Sequence, residues 1–151
     1  MRINTNKFKE TILKEFGTID VAEDLKHQVL MVRDEYKRIR ISAQVWWLDK
    51  GVWQPGKGYL LTGRQALSLA TTMNSLTSGQ DSDTPVDVVS RTQMYIVKVR
   101  QETQLLSIEK WWRKDTDSEW TFNKTLEIRL SDVPKFAEML ETAGASILNV
   151  R

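Results

Sequence analysis

The chain contains 151 residues, of which 40% are hydrophobic and 28% are charged, a composition typical of one globular domain and not of a disordered or fibrous chain. It has no cysteine and a single histidine, His27, so disulfides, thiol nucleophiles and thiolate metal sites are excluded. No run approaches the roughly 18 apolar residues of a membrane helix, and no signal-peptide core follows the N-terminus. We therefore expect a cytoplasmic, nucleoid-associated protein or an organellar one, without a membrane partner.

The distribution of charge is more informative than the total. The net charge is only +2, too small to indicate a nucleic-acid partner by itself. Residues 26–64 carry eight positive and three negative side chains, a net charge of +5, and residues 91–129 carry eight and six, a net charge of +2. The acidic residues are concentrated in the ends and the middle of the chain, so two basic segments are predicted.

The N-terminal segment has the spacing of an amphipathic helix. Its hydrophobic residues recur at intervals of three to four, at Phe8, Ile12, Leu13 and Phe16. Gly17 follows as a stop signal. We therefore predict a short helix between residues 4 and 17, within a helical extension that covers residues 1–25.

From residue 26 the hydrophobic period changes to two, which is typical of strands. Residues 26–33 and 38–47 predict a β-hairpin, and residues 52–54 and 59–61 predict two further strands. In the second hairpin strand one face is predicted to be core, with Ile39, Ile41, Ala43 and Val45. The other face is predicted to be solvated and basic, with Arg38, Arg40, Ser42 and Gln44. Thr62 and Gln65 have the spacing of a capping box, which predicts a helix after the strands. These elements define a first repeat over residues 26–76.

The same pattern returns after a polar, acidic segment, residues 77–91, that reads as a linker. Strands are predicted at 93–100, 105–112, 119–122 and 124–130, and a helix from Ser131 to about Gly144. The adjacent Trp46 and Trp47 return 65 residues later as a second pair. The second repeat therefore covers residues 92–151. We predict an α+β fold of two β-β-β-β-α repeats, with antiparallel sheets and helices packed between them, in a single pseudo-symmetric domain over residues 1–151.

Basic residues accompany aromatic residues in both repeats. A single nucleic-acid strand is held by cations that contact its phosphates and by flat rings on which its bases stack. The adjacent tryptophans of each pair point to opposite faces of a strand, so one ring of each pair is predicted to be buried and the other to be free for ligand. The sequence shows no nucleophile elbow, phosphate-binding loop, metal cluster or acid pair of clear geometry, so no enzyme activity, metal or cofactor is predicted.

Several of these residues also resemble a known family. The first repeat resembles the C-terminal domain of the positive-cofactor-four family of transcriptional coactivators, through Val32 to Asp34, Trp46 to Asp49, Pro55 to Gly58 and the capped helix. Two such units in one chain resemble the Whirly proteins. Residues 36–42 fall where Whirly proteins carry the motif Lys-Gly-Lys-Ala-Ala-Leu-Ser, although the glycine and the alanine pair are absent here. The family's hairpin-turn aromatic falls on Glu35, and an arginine late in the second strand falls on Gln44 and, in the second repeat, on Glu109.

The resemblance implies binding of single-stranded or melted DNA across the sheet, and self-association into a homo-oligomer. It places Arg33, Arg38, Trp47 and Lys57 at positions that contact the strand. Together with the cation and ring pattern, it predicts phosphate contacts for Arg33, Lys37, Arg38, Arg40, Lys57, Lys98, Arg100 and Lys110. It predicts stacking for Trp46, Trp47, Trp53, Trp111 and Trp112.

The predicted function is sequence-tolerant binding of single-stranded DNA, in transcription regulation or in DNA protection or recombination. RNA remains an open alternative, because stacking does not distinguish the two sugars. The competing interpretation is a duplicated domain of the same fold that uses its tryptophan-bearing sheet to bind a protein or a small ligand.

Overall fold

The structure is a computed structural model that describes residues 2–76, 80–86 and 90–149. It contains eight strands and two α-helices in these residues. The elements in chain order are β1 Thr11–Ala22, β2 Leu25–Arg33, β3 Ile39–Asp49, β4 Val52–Leu61, α1 Gly63–Ser75, β5 Ser82–Pro85, β6 Gln93–Arg100, β7 Leu105–Trp112, β8 Thr121–Arg129 and α2 Val133–Asn149. A short 3-10 turn, Leu130–Asp132, precedes α2. Within the described residues, no helix is long and apolar enough to cross a membrane.

The strands form two antiparallel sheets of four. Sheet 1 has the order β1-β2-β3-β4, and sheet 2 has the order β5-β6-β7-β8. The α+β class with antiparallel sheets is therefore confirmed. The chain divides into two compact units: unit 1 consists of Met1–Leu67 with Glu138–Arg151, and unit 2 consists of Ser68–Ala137. Sheet 1 lies in unit 1 and sheet 2 in unit 2.

The predicted N-terminal helix is wrong. Residues 11–22 form β1, which pairs with β2 and has three register irregularities along its length. These bulges break the alternation of period two, so Ile12, Leu13 and Phe16 imitate a helical spacing. Phe8 precedes the strand and lies in a cluster with Leu30 and Trp46, against which Ile12 also packs. The β-branched residues Ile19 and Val21, which favour strands, were the signal for the correct assignment.

The order β-β-β-β-α is present twice, but the strands are not the predicted ones. Residues 52–61 form one strand, since β4 is an edge strand and a register shift between Gln44 and Trp46 accommodates the Pro55 region. Residues 121–129 likewise form one strand, and residues 119–120 lie outside it. The strand that was not predicted is β1 in the first repeat and β5 in the second, and β5 lies inside the predicted linker. Residues 77–79 and 87–89 of that linker lie outside the described residues.

Helix α1 begins where predicted, and at the predicted start at Ser131 a 3-10 turn leads into α2 at Val133. The Gln65 backbone N–H donates to Thr62 Oγ1 at 3.1 Å and the Thr62 N–H donates to Gln65 Oε1 at 2.9 Å, so the capping box is confirmed. Helix α2 does not end at Gly144 but continues to Asn149. Gly144 is a contact residue: a Cβ there would lie 2.7 Å from the carbonyl oxygen of Gly63. It allows the first turn of α1 and the second half of α2 to approach closely, both within unit 1.

Candidate nucleic-acid interface

Strand pairing defines which side chains share each face of sheet 1. Residues directly opposite in an antiparallel pair point to the same side. Face A of sheet 1 is the side that carries Arg40, Ser42, Gln44 and Trp46 on β3, with Val32, Leu30, Gln28 and Lys26 opposite them on β2. Face B is the other side, with Ile41, Ala43, Val45 and Trp47 on β3. Face A is the side predicted to be solvated and to bind the strand.

Face A is instead largely buried. The N-terminal segment, residues 2–10, pairs with β4 through a bridge between Ile3 and Trp53. Phe8 then packs on Trp46 with ring centroids 4.9 Å apart, in a hydrophobic cluster with Leu30. Trp46 is completely buried, so it has no ring face free for a base. The predicted stacking role of Trp46 is therefore not compatible with this structure.

Several other polar side chains of face A are also buried or half-buried. Ser42 and Gln44 are buried, and the Gln44 amide donates to two backbone carbonyls, of Val45 and Gly56. Arg40 is half-buried and donates to the carbonyl of its neighbour Ile39. Trp53, also predicted to stack, is half-buried, with the Lys26 ammonium 4.1 Å from its ring centroid. The wet, basic face predicted for β3 is thus a second core.

Three of the exposed cations of unit 1 lie at the β2–β3 turn. Arg33, Lys37 and Arg38 are exposed there. The Arg38 guanidinium lies 5.1 Å from the ring centroid of Tyr36, whose side chain is 77% exposed. This turn therefore presents an exposed aromatic ring in contact with Arg38, with two further exposed cations at the same turn.

A buried carboxylate organises the same turn. Asp34 accepts backbone N–H bonds from Tyr36 at 2.9 Å and Arg38 at 2.8 Å, and its second oxygen accepts the Arg38 Nε–H at 2.8 Å. Burial alone would raise the pKa of Asp34, but the bonds from Arg38 and Tyr36 outweigh burial, so the pKa lies below its ordinary value. Lys37 has a φ of 64°, in the left-handed region that favours glycine.

Tyr36 was not among the predicted binding residues. Its signal was an aromatic residue in a turn, directly before two cations. Trp47 is 43% exposed and lies on face B at the far end of β3. Trp47 and Arg38 are nine positions apart along extended chain, a distance of about 30 Å. Lys57 is exposed on β4. The predicted contacts of unit 1 therefore do not converge on one surface.

Face A of sheet 2 is the side that carries Trp111, just as face A of sheet 1 carries Trp46. Lys98 and Arg100 lie on this face, and both have carboxylate partners: Lys98 Nζ is 3.2 Å from Glu109 and Arg100 Nη2 is 2.7 Å from Asp83. Trp111 is half-buried and donates its indole N–H to Glu109 at 3.1 Å. The two predicted phosphate ligands of this face are therefore already neutralised.

Face B of sheet 2 is the side that carries Trp112, and a different group of side chains lies at its end. Trp112 is 46% exposed, and Lys110 lies two residues before it on the same side of β7. Lys110 is directly opposite Tyr95 on β6 and Lys124 on β8. Tyr95 is buried, and burial raises its pKa to about 12. In this sheet, the exposed ring and the cations share one face.

The electrostatics of the two lysines follow from their position. Burial lowers the pKa of Lys110, and burial together with the neighbouring charge of Lys110 lowers the pKa of Lys124. Beyond the strand end, the Arg113 guanidinium lies 4.2 Å from the ring centroid of Trp120. Lys124 and Trp120 were not predicted as binding residues, and only the pairing of β7 with β8 brings Lys124 to Lys110.

Comparisons with known proteins add little to this geometry. No protein-family model matches the chain, and no curated protein matches it. Among solved structures, the chain is similar to the crystal structures of MRP1/MRP2 of Trypanosoma brucei, with 12% identity and a TM-score of 0.40 over 95% of this chain and 86% of the other. A similarity of this degree carries no conclusion about the function of this protein.

Proposed function

We propose that this protein binds single-stranded DNA without sequence preference and without catalysis. It acts in transcription regulation or in DNA protection or recombination, as a homo-oligomer, in the cytoplasm with the nucleoid or in an organelle. The packing of the two repeats around a helical layer is part of the same proposal. RNA is the alternative strand, and the resemblance to the positive-cofactor-four and Whirly families supports the choice of DNA.

One observation carries the proposal: the second tryptophan of each pair is exposed. Trp47 and Trp112 show 43% and 46% of their surface to solvent, while Trp46 is completely buried. An exposed indole in a strand is available to an unpaired base, and each stacked base contributes about 1–3 kcal/mol. Tyr36 provides a third ring, and Lys37 takes up its left-handed conformation at the position where the Whirly motif has glycine.

Unit 2 is the stronger half of the proposed interface. Lys110 and Lys124 lie on the same face as Trp112. A bound strand would therefore contact the lysines with its phosphates and stack a base on Trp112 at the same time. In unit 1 three exposed cations lie at the turn that carries Tyr36, at one end of the sheet, and Trp47 lies toward the other. We therefore assign the main contact to the Trp112 end of sheet 2 and a secondary contact to the β2–β3 turn.

The test is fluorescence anisotropy of a labelled single-stranded oligonucleotide, titrated at low and moderate salt with duplex as competitor. We expect binding that weakens steeply with salt, because phosphate contacts release counterions, and that duplex does not displace. An RNA oligonucleotide of the same sequence distinguishes the two nucleic acids.

Matched variants identify the surface. Trp112→Ala removes the exposed ring of face B, and Phe122→Ala removes an equally exposed ring, 46% accessible, whose contact with Trp111 places it at face A. We expect the first variant to weaken binding and the second to retain it. Absence of binding at low salt would overturn the proposal and favour a protein or small-ligand partner for the exposed tryptophans.

Self-association has its own measurement. Light scattering of the purified protein should return a mass that is a multiple of 17.5 kDa. A mass of one chain at micromolar concentration would remove the homo-oligomer from the proposal and leave strand binding untouched.

A further inference from the structure

The N-terminal segment of unit 1 is held on sheet 1 as a short added strand. Asn4 donates its backbone N–H to the Trp53 carbonyl at 2.9 Å, next to a parallel bridge between Ile3 and Trp53 of the edge strand β4. Five residues after Ile3, Phe8 packs on Trp46. Pairing with a sheet edge, together with side chains held beside it, is a recurring way in which proteins bind extended peptides. Sheet 1 therefore binds a peptide of its own chain.

Sheet 2 repeats the aromatic residues that hold this segment. Trp111 has the strand position of Trp46. Trp120 has that of Trp53, since each directly precedes the residue paired with the second tryptophan of its sheet. A cation lies near both of these rings at a similar distance from the centroid, 4.1 Å for Trp53 and 4.2 Å for Trp120. The aromatic part of the segment's binding surface is therefore present in both sheets.

This surface is covered in sheet 1 and exposed in sheet 2. Trp46 is completely buried, whereas Trp111 and Trp120 are half-buried. Phe122, whose ring centroid is 5.5 Å from that of Trp111, is 46% exposed. Within the described residues, Trp120 makes no backbone hydrogen bond to another segment, in contrast to Trp53. An edge with unpaired backbone groups and an exposed aromatic row can add a strand from another chain.

The charges around this surface favour a basic peptide over a nucleic-acid strand. In the loop between β7 and β8, three carboxylates are exposed against one lysine: Asp115, Asp117, Glu119 and Lys114. The two cations of face A described above are already paired with carboxylates. The acidic loop would repel phosphates and attract cations that flank an aromatic residue, as Lys7 and Lys9 flank Phe8.

We propose that face A of sheet 2 binds an extended basic peptide of a partner protein, which adds a strand along Trp120 and places an aromatic side chain on Phe122. The chemistry of the partner segment follows from residues 2–9: an aliphatic residue at the edge, an aromatic residue five positions later, and lysines on both sides of the aromatic residue. This binding does not rest on the proposed function, because Trp112 lies on the opposite face of β7 from Trp111.

The probe is a fluorescein-labelled peptide of residues 2–10, because that sequence binds the corresponding surface of sheet 1. We expect its anisotropy to saturate with the wild-type protein, and Phe122→Ala to weaken binding about tenfold, as for a central aromatic contact. Trp112→Ala removes an equally exposed ring from face B and should leave peptide binding unchanged. Peptides with Asn4→Pro, which lacks the backbone N–H of the added strand, or with Phe8→Ala should bind the wild-type protein more weakly.

The outcomes separate this inference from the proposed function. Absence of saturable peptide binding, or equal affinity of both peptide variants, would overturn the inference and leave strand binding untouched. Peptide binding that survives Phe122→Ala would also overturn it, since the peptide would then exchange with the segment on sheet 1. Loss of oligonucleotide binding in Phe122→Ala would assign this surface to the nucleic-acid strand instead. The peptide variants are measured on the unaltered protein, so their result does not depend on the folding of Phe122→Ala.

Discussion

The two sheets carry the same pair of adjacent tryptophans in different surroundings. In sheet 1 the face of the first tryptophan is covered by the N-terminal segment, and Phe8 packs on Trp46. In sheet 2 the corresponding Trp111 is only half-buried, and cations on its face pair with carboxylates. The second tryptophan is exposed in both sheets, but Trp112 is preceded by Lys110 on its face, whereas Trp47 is preceded there by Val45. Local charge in the sequence therefore does not predict which sheet presents a basic surface.

The largest expected effect is a difference in the free energy of unfolding between variants of Trp46 and Trp47. Trp46→Ala would open a cavity beneath the N-terminal segment and should lower the free energy of unfolding by about 3–5 kcal/mol. Trp47→Ala removes an exposed ring and should cost less than about 1 kcal/mol. Urea denaturation of both variants measures the difference. Equal costs would show that the covering of Trp46 by Phe8 is not part of the folded state in solution.

The next effect separates the two exposed tryptophans. Trp112→Ala should weaken binding of a single strand by about 1–3 kcal/mol, the contribution of one stacked base. Trp47→Ala should weaken it less, because Val45 precedes Trp47 by two residues on face B, at the position where Lys110 precedes Trp112. Anisotropy titrations in one buffer compare the two, and a larger loss for Trp47→Ala would reverse the assignment of the main contact to unit 2.

A smaller effect on stability is expected at low pH and comes from Asp34 in unit 1. The pKa of Asp34 lies below the ordinary value of 3.8, so its stabilising contribution is present above that value and is lost as the pH falls through the folded-state pKa. Thermal midpoints measured below about pH 5 should therefore fall less steeply for Asp34→Asn than for the wild type. Asp49→Asn, which changes an exposed carboxyl at the end of β3, should follow the wild-type curve.

The smallest effect on stability is expected at high pH and comes from Lys110 and Lys124 in unit 2. The pKa values of Lys110 and Lys124 are lowered from 10.5, so the unfolded chain holds more protons there and stability rises as the pH increases toward that value. Above about pH 10 the trend is opposed by Tyr95, which ionises more readily in the unfolded chain. Between about pH 8 and 10, Lys110→Gln with Lys124→Gln should flatten the rise. An unchanged slope would show that the two lysines are fully solvated.

Much of the architecture follows from local sequence patterns. The alternation in residues 26–33, 38–47, 93–100 and 105–112 predicts β2, β3, β6 and β7, and Thr62 with Gln65 predicts the start of α1. The first strand of each repeat was missed because bulges disguise β1 and because β5 has only four residues. Two strands were missed, and two others were each predicted as two shorter strands. Because these errors cancel, the predicted order of four strands and one helix in each repeat is still correct.

The candidate site was less predictable, since it depends on contacts between distant segments. The burial of Trp46 depends on Phe8, 38 residues earlier, and the partner of Arg100 is Asp83 on an unpredicted strand. Lys124 joins Lys110 only through the register of β8, which a bulge shifts after Lys110. Alternation predicted that one ring of each tryptophan pair would be buried, which holds for Trp46, while Trp111 is half-buried. It did not show which ring of a pair would be the more exposed.

The most direct test observes the six tryptophan side chains during binding. Indole N–H signals of the ¹⁵N-labelled protein, assigned with single Trp→Phe variants, are followed as a single-stranded oligonucleotide is added. The account predicts that the signals of Trp112 and Trp47 move, with Trp112 moving more, and that the signal of Trp46 stays in place. Movement of Trp46 alone, or of no tryptophan, would contradict the claim that the exposed ring of each pair meets the strand.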